Sequence, residues 1–410
     1  MPYGKMTRLT QFIQFTRFTR LIWFIRLTWF EQFSQPEKQY KPSKISKSCR
    51  LSKLLILCSM LLALCCFYSE VDARVKGKCR DCHSMHYSKE GLEVTYAYQL
   101  GPFPSMTIGG CLGCHGQNPS GTENIILKGK MRVPQVIHHM EEGDLAGGNY
   151  YYVADLFSKD YSKGHNVKGI SLIEKPPMNT PPGFIESVNI PGGTGPSSWP
   201  SFKQLTCSGT YGCHGNRTIE DEFGAIHGAH HEDDSIIDGS TVGKSYRFLY
   251  GIVGKEHEKW EYLATENNHN GYKGDQSHDS MNTISYLCGE CHGKFHPNPN
   301  LGGSKEVGHA YNSLWRRHPS DISFSGVHGG YIGSEYQGYV SYNLQSPVAY
   351  QNPSGTENIV DSDSIIMCLS CHRAHASQYS DILRWDYSEA QAGNQDTKKG
   401  CLVCHTKKAR

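Results

Sequence analysis

One short word, Cys-x-x-Cys-His, is written five times in this chain: CRDCH (79–83), CLGCH (111–115), CGECH (288–292), CLSCH (368–372) and CLVCH (401–405). No other feature constrains the fold as tightly. Two cysteines at i and i+3 share one face of a helical turn. Their sulfurs can form thioethers with the two vinyl groups of one haem, and the histidine behind them can supply an axial nitrogen to its iron. Structural zinc would need each pair matched by another pair or by separate histidines. A disulfide has no use for the histidine. Repetition of the whole word favours haem over both.

LTCSGTYGCHGN, at 205–216, departs from the pattern. Cys207 and Cys213 are separated by five residues, yet His214 still follows directly. The stretch reads as a sixth, stretched attachment site whose insert bulges outward, with Gly209 and Gly212 supplying backbone freedom. A small disulfide hairpin is the alternative.

The N-terminal region has the marks of export. Lys44, Lys47, Arg50 and Lys53 form a basic flank, and the apolar run Leu54 to Leu64 is too short to span a bilayer. Val71-Asp72-Ala73 fits the small-residue cleavage pattern. Residues 44–73 are therefore read as a secretory signal peptide and 1–43 as a doubtful extension from a start site assigned too far upstream. Residues 74–410 are read as a single hexahaem cytochrome c domain. A lipid anchor at Cys65 is the alternative, disfavoured by bulky Leu64 before it. Removing the leader leaves 12 of the 16 cysteines, all of them in the five words and the stretched site. It also leaves about −5 net charge, with no basic footprint for nucleic acid.

Composition sets the fold class. With 43 Gly, 19 Pro and 38% apolar residues, the chain lacks long amphipathic windows and would bury too little aliphatic surface for its length. The expected architecture is mostly irregular, with short helices at the CxxCH turns and a few short strands, organised around a closely stacked chain of haems. Six haem c groups, not an aliphatic interior, would be the core.

The histidines decide what such haems can do. Filling both axial positions closes an iron to substrate. The proximal set is His83, His115, His214, His292, His372 and His405, which leaves 15 of the 21 histidines for distal positions. In CRDCHSMH, CLSCHRAH and CGECHGKFH, the second histidines His86, His375 and His296 follow three or four residues after the first. Neighbours on one helical face cannot easily grip opposite faces of one haem, so each of the three is expected to ligate a different one. Local context adds His165 in KGHNV, His230 or His231 in GAHH, and His318 in WRRHPSD. Weaker candidates are His138, His139, His269, His309 and His328.

CRDCHSMHYS, YYVAD with KGHNV, the RHP turn at 317–319, CLSCHRAHAS and the closing CLVCH resemble the extracellular hexahaem cytochromes of the OmcS type, which polymerise into haem nanowires in metal-reducing bacteria. The resemblance implies an irregular polypeptide wrapped around a continuous haem stack. It also implies that His86 reaches across to the haem attached at Cys368 and Cys371 in the next protomer. The third site departs from the family, which has an ordinary CxxCH there followed closely by another histidine; here the next histidine is His227.

The leading expectation is thus an electron carrier, not an enzyme, acting at the cell exterior after passage through the periplasm. Its partners would be copies of itself, other cytochromes and extracellular acceptors such as metal oxides. A monomeric periplasmic or surface shuttle is the nearest alternative. A multihaem reductase would need an open iron, and no CxxCK word occurs. HEDDSIID (231–238) and DSDS (361–364) match no EF-hand pattern and read as acidic loops. Intact mass of the secreted protein is expected to show six covalently attached haems, and fewer would contradict the stretched site.

Overall fold

The computed structural model describes residues 74–89, 92–93, 103–116, 121–139, 143–154, 160–171, 180–186, 192–303, 317–326, 336–393 and 399–409. The leader and extension expected at 1–73 lie outside the described residues. So do His309 and His328. Val71–Arg410 forms one compact unit.

Most of that unit is irregular, as the composition led us to expect. The longest described helix is Ile284–Gly289, and the others span a single turn. Helical turns fall where the words are written: Cys79–Asp81, Cys111–His115, Ile284–Gly289, Cys368–Ser370 and Gly400–Val403. Polar side chains start some of the helical turns. Thr283 accepts from the Tyr286 N–H, Asp221 from Gly224 and Asn149 from Tyr151, satisfying amides that a short helix leaves unpaired.

Every described sheet is a two-stranded antiparallel ladder: β1 (Ser88–Lys89) with β2 (Leu92–Glu93), β3 (Ile125–Lys128) with β4 (Met131–Pro134), β5 (Gly254–Lys255) with β6 (Gly271–Tyr272), and β7 (Ile322–Ser323) with β8 (Ile365–Ile366). Lys128 pairs with Met131, so the β3–β4 hairpin closes through Gly129-Lys130. Gly129 holds φ +64°, the conformation a tight hairpin demands and glycine adopts without penalty. The hairpin matters because its last residue, Pro134, meets a histidine of the second word.

Apolar side chains gather in three separate clusters. One surrounds Tyr246, Ile252, Ile284, Leu287, Ile365 and Met367; another, Phe324, Tyr339, Tyr342, Val360 and Val403; the third, Ile137, Tyr150, Val153, Val167 and Ala376. The x positions of the words join them. Leu369 is buried in the first, Val403 in the second, and Leu112 packs against the third. These three words, CLGCH, CLSCH and CLVCH, are thereby pinned by a middle residue.

Candidate haem sites

Sites one to six are numbered in chain order, the stretched one being site three. In the regular words the histidine N–H closes a turn onto the carbonyl of the first cysteine: 2.8 Å for His83 on Cys79, 2.9 Å for His292 on Cys288, 3.1 Å for His372 on Cys368 and 2.9 Å for His405 on Cys401. Site three keeps this bond. The His214 N–H donates to the Cys207 carbonyl at 3.0 Å, although six residues now separate them. The insert folds back on itself: Gly212 N–H reaches Gly209 O at 2.9 Å, and Gly209 takes φ +85°. A Cβ on Gly212 would lie 2.7 Å from the backbone of Ser208. The bulge is outside the frame, and the frame is the same. Cys207 and Cys213 are both free, as are the other ten described cysteines, so the hairpin disulfide is not formed.

Five of the six proximal rings are oriented by Nδ1. That nitrogen donates to the carbonyl of Ser105 from His83 (3.1 Å), Pro134 from His115 (2.9 Å), Arg247 from His214 (2.9 Å), Pro182 from His292 (2.8 Å) and Asp381 from His372 (2.8 Å). His165 and His318 do the same, to Ala374 and Pro319. A carbonyl can only accept, so the proton stays on Nδ1 and the Nε2 lone pair is available to a metal.

Five of the six proximal rings stand close to a second histidine ring. Ring centroids stand 6.0 Å apart for His83 and His231, 6.4 Å for His115 and His230, 6.3 Å for His214 and His375, 6.1 Å for His292 and His165, and 6.2 Å for His405 and His318. A metal–imidazole bond is about 2 Å and the bonding nitrogen lies ~1 Å from its ring centre, so two imidazoles sharing one ion sit about 6 Å apart. All five separations fit an iron held between two histidines. Burial also pushes these rings below the ordinary histidine range: His230 and His292 to about 4, His375 to about 3, and His115, His165, His214, His318 and His372 in the same direction. Neutral imidazole is the form that binds metal.

The distal expectations divide. His165, His318 and His375 each stand opposite a proximal ring of another word, and both members of the His230-His231 pair do, serving sites two and one. His296 does not. Its Nε2 donates to the Asp321 carboxylate at 3.0 Å and its Nδ1 accepts from the Asn298 N–H at 3.1 Å, with both side chains almost wholly buried. Both nitrogens are spent on protein, so the spacing in CGECHGKFH misled: His296 braces the chain. His86 is exposed, at φ 61°. Among the described residues no imidazole stands opposite His372. Of the weaker candidates, His138 lies 3.5 Å from Asp144, His139 meets Tyr151 edge-on, and His269 stacks on Tyr342.

Two supports were not legible in the sequence. At sites one, three and five the carbonyl acceptor belongs to a left-handed pair of non-glycine residues: Ser105-Met106, Arg247-Phe248 and Asp381-Ile382, with φ from 50° to 60°. The second member of each pair takes the N–H of the residue after the histidine, at 2.8, 2.7 and 2.8 Å. Such conformations cost of order 1–3 kcal/mol each, and the repeated use marks a device. Sites two and four use a proline carbonyl instead. The second support is Arg74, whose guanidinium bonds Asp234 (3.1 Å) and Glu256 (2.6 Å) and lies 4.2 Å from the centre of the Phe248 ring. Phe248 in turn packs on His230, and the Val75 N–H donates to the His230 carbonyl. The acidic run after His231 thus caps turns and pairs with Arg74.

Adjacent sites touch through their cysteines. The sulfurs of Cys111 and Cys207 lie within 4.8 Å of each other and of a Glu222 oxygen, and the Cys288 side chain hydrogen-bonds Cys368. These contacts join site two to three and four to five. Electrostatic interactions link Cys82 with Cys114, Cys213 with Cys291, and Cys371 with Cys404. The sites therefore follow one another in chain order. The cluster of Cys111, Cys207 and Glu222 could itself hold a metal, but its sulfurs belong to two different words and a fourth ligand for zinc is wanting there.

Residues 360–410 match the family model described as a doubled CXXCH motif, which covers sites five and six. The Outer Membrane Cytochrome S filament from Geobacter sulfurreducens aligns at 18% identity and TM-score 0.41, covering 77% of this chain and 85% of that one. A second structure, of OmcS nanowires from the same organism, aligns at 19% identity and TM-score 0.39, covering 76% and 84%. No curated protein matches the chain.

Two substitutions check this geometry. Gly212→Ala should push the bulge off Ser208 and yield protein with one haem fewer by intact mass, while Thr210→Ala, on the same insert, should not. His296→Ala should leave the spin state of every iron unchanged but lower stability by about 3–5 kcal/mol, the cost of stranding a buried partner charge, measured by chemical denaturation.

Proposed function

We propose that this chain is a hexahaem c-type cytochrome that carries electrons outside the cell as a homopolymer. In this reading His86 of each copy completes the iron at site five of a neighbouring copy. One observation carries it. Five proximal rings face a second ring across a metal-sized gap, His372 faces none among the described residues, and exposed His86 is left over.

Cys79 and Cys82, Cys111 and Cys114, Cys207 and Cys213, Cys288 and Cys291, Cys368 and Cys371, and Cys401 and Cys404 would anchor the six groups. His231, His230, His375, His165 and His318 would close sites one, two, three, four and six. Haem with both axial positions filled supplies reversible one-electron chemistry and leaves no position for substrate. The chain's contribution is to fix the proximal imidazoles of sites one to five, with His165 and His318, as the Nδ1–H tautomer, and to bring successive attachment points close together. Export through the periplasm by a cleaved leader fits the basic and apolar run at 44–73. Other cytochromes and metal oxides would be the electron donors and acceptors.

The same unpaired His372 supports a second reading. A monomer would leave site five open, and an open haem binds small ligands, as a reductase requires. The two separate on His86. In the homopolymer, His86→Ala leaves one iron in six high-spin by electron paramagnetic resonance and abolishes filaments seen by electron microscopy. Filaments that persist with all irons low-spin would refute the shared ligand. A monomeric parent protein with one high-spin iron that binds carbon monoxide would favour the second reading.

A further inference from the structure

Sites three and four meet at a buried ion pair. Arg217 follows His214 by three residues, and Glu290 is the residue before the second cysteine of CGECH. Their side chains are 2% and 4% exposed, and Arg217 Nη1 donates to Glu290 Oε2. The other carboxylate oxygen accepts from the N–H groups of Thr194 (2.8 Å) and Gly195 (3.2 Å). The loop can come this close because residue 195 has no side chain: a Cβ there would lie 2.8 Å from that of Glu290 and 3.0 Å from Arg217 Nη2.

The pair lies against two attachment points. Arg217 Nη2 stands 3.6 Å from Cys291 Sγ, and Cys213 interacts electrostatically with both Arg217 and Glu290. Burying such a pair gives little net stability, because desolvation offsets the attraction, and apolar replacements often do as well. What the position does give is a strong local field, since charges shielded from water act at low effective dielectric.

We infer that the Arg217–Glu290 pair sets the reduction potentials of sites three and four, the guanidinium favouring the reduced state and the carboxylate offsetting it. This rests on the haem reading above. Neither residue touches iron; both act as positioning charges beside the sulfurs that hold the groups.

The test is a spectropotentiometric titration of the intact, haem-loaded protein, with haem number checked by mass. Glu290→Gln keeps the acceptor for Thr194 and Gly195 but leaves the guanidinium uncompensated. It should move no more than two of the six titrating equivalents to higher potential. Arg217→Met should move the same equivalents to lower potential, and the double variant should titrate close to the parent. If Arg217→Met does not accumulate, the return of the double variant toward the parent from Glu290→Gln decides. Shifts of the same sign in both single variants, a change spread over all six equivalents, or no change would overturn the inference. Fewer than six haems in the parent would instead count against the hexahaem reading beneath it.

Discussion

An imidazole that gives its Nδ1 proton to a backbone carbonyl has one lone pair left and one direction in which to offer it. That bond recurs at sites one to five, and the rest of the structure is arranged around it. The carbonyls come from loops, so the loops must be placed. Helical capping, two-stranded ladders and three modest apolar clusters place them. The result is a set of facing rings with a separation that one metal ion fills. Burial favours the neutral form at His115, His165, His214, His230, His292, His318 and His375, so orientation and protonation state serve the same end there.

Alternation between left-handed pairs and prolines shows how the chain meets this demand repeatedly with different material. Ser105-Met106, Arg247-Phe248 and Asp381-Ile382 hold the same strained turn beneath sites one, three and five. Pro134 and Pro182 serve sites two and four. The contacts between cysteines alternate as well, with side chains meeting directly between sites two and three and between sites four and five. The stretched site belongs to this scheme. Its backbone frame is that of an ordinary word, and the insert leaves the frame without disturbing it.

Polar residues that are not ligands carry much of the remaining structure. His296 with Asp321, Arg74 with Asp234 and Glu256, and Arg217 with Glu290 each tie distant segments together where an aliphatic core would do so in another protein. The stretch QNPSGTENI is written twice, at 117–125 and 351–359, and in the second copy the Glu357 carboxylate accepts from the N–H groups of Ser354 and Gly355. In DSDS, Asp361 accepts from the N–H groups of Asp363 and Ser364.

The sequence by itself marked out the candidate attachment points, because thioether chemistry needs two sulfurs and a histidine in a short, fixed order that local geometry alone can satisfy. For the same reason it determined the irregular fold class: too few apolar residues recur at helical or strand spacing. It also led us to expect His375 near a site other than its own, and its ring stands 6.3 Å from that of His214. Only the tertiary structure decided which distant histidines face which. His165 meets His292 and His230 meets His115 across more than a hundred residues, and no local pattern encodes such distances. CGECHGKFH resembled CLSCHRAH in spacing, yet Asp321, 25 residues further on, claimed His296. Whether a buried histidine binds metal or carboxylate depends on what the fold sets opposite it, and only folding brings those groups together.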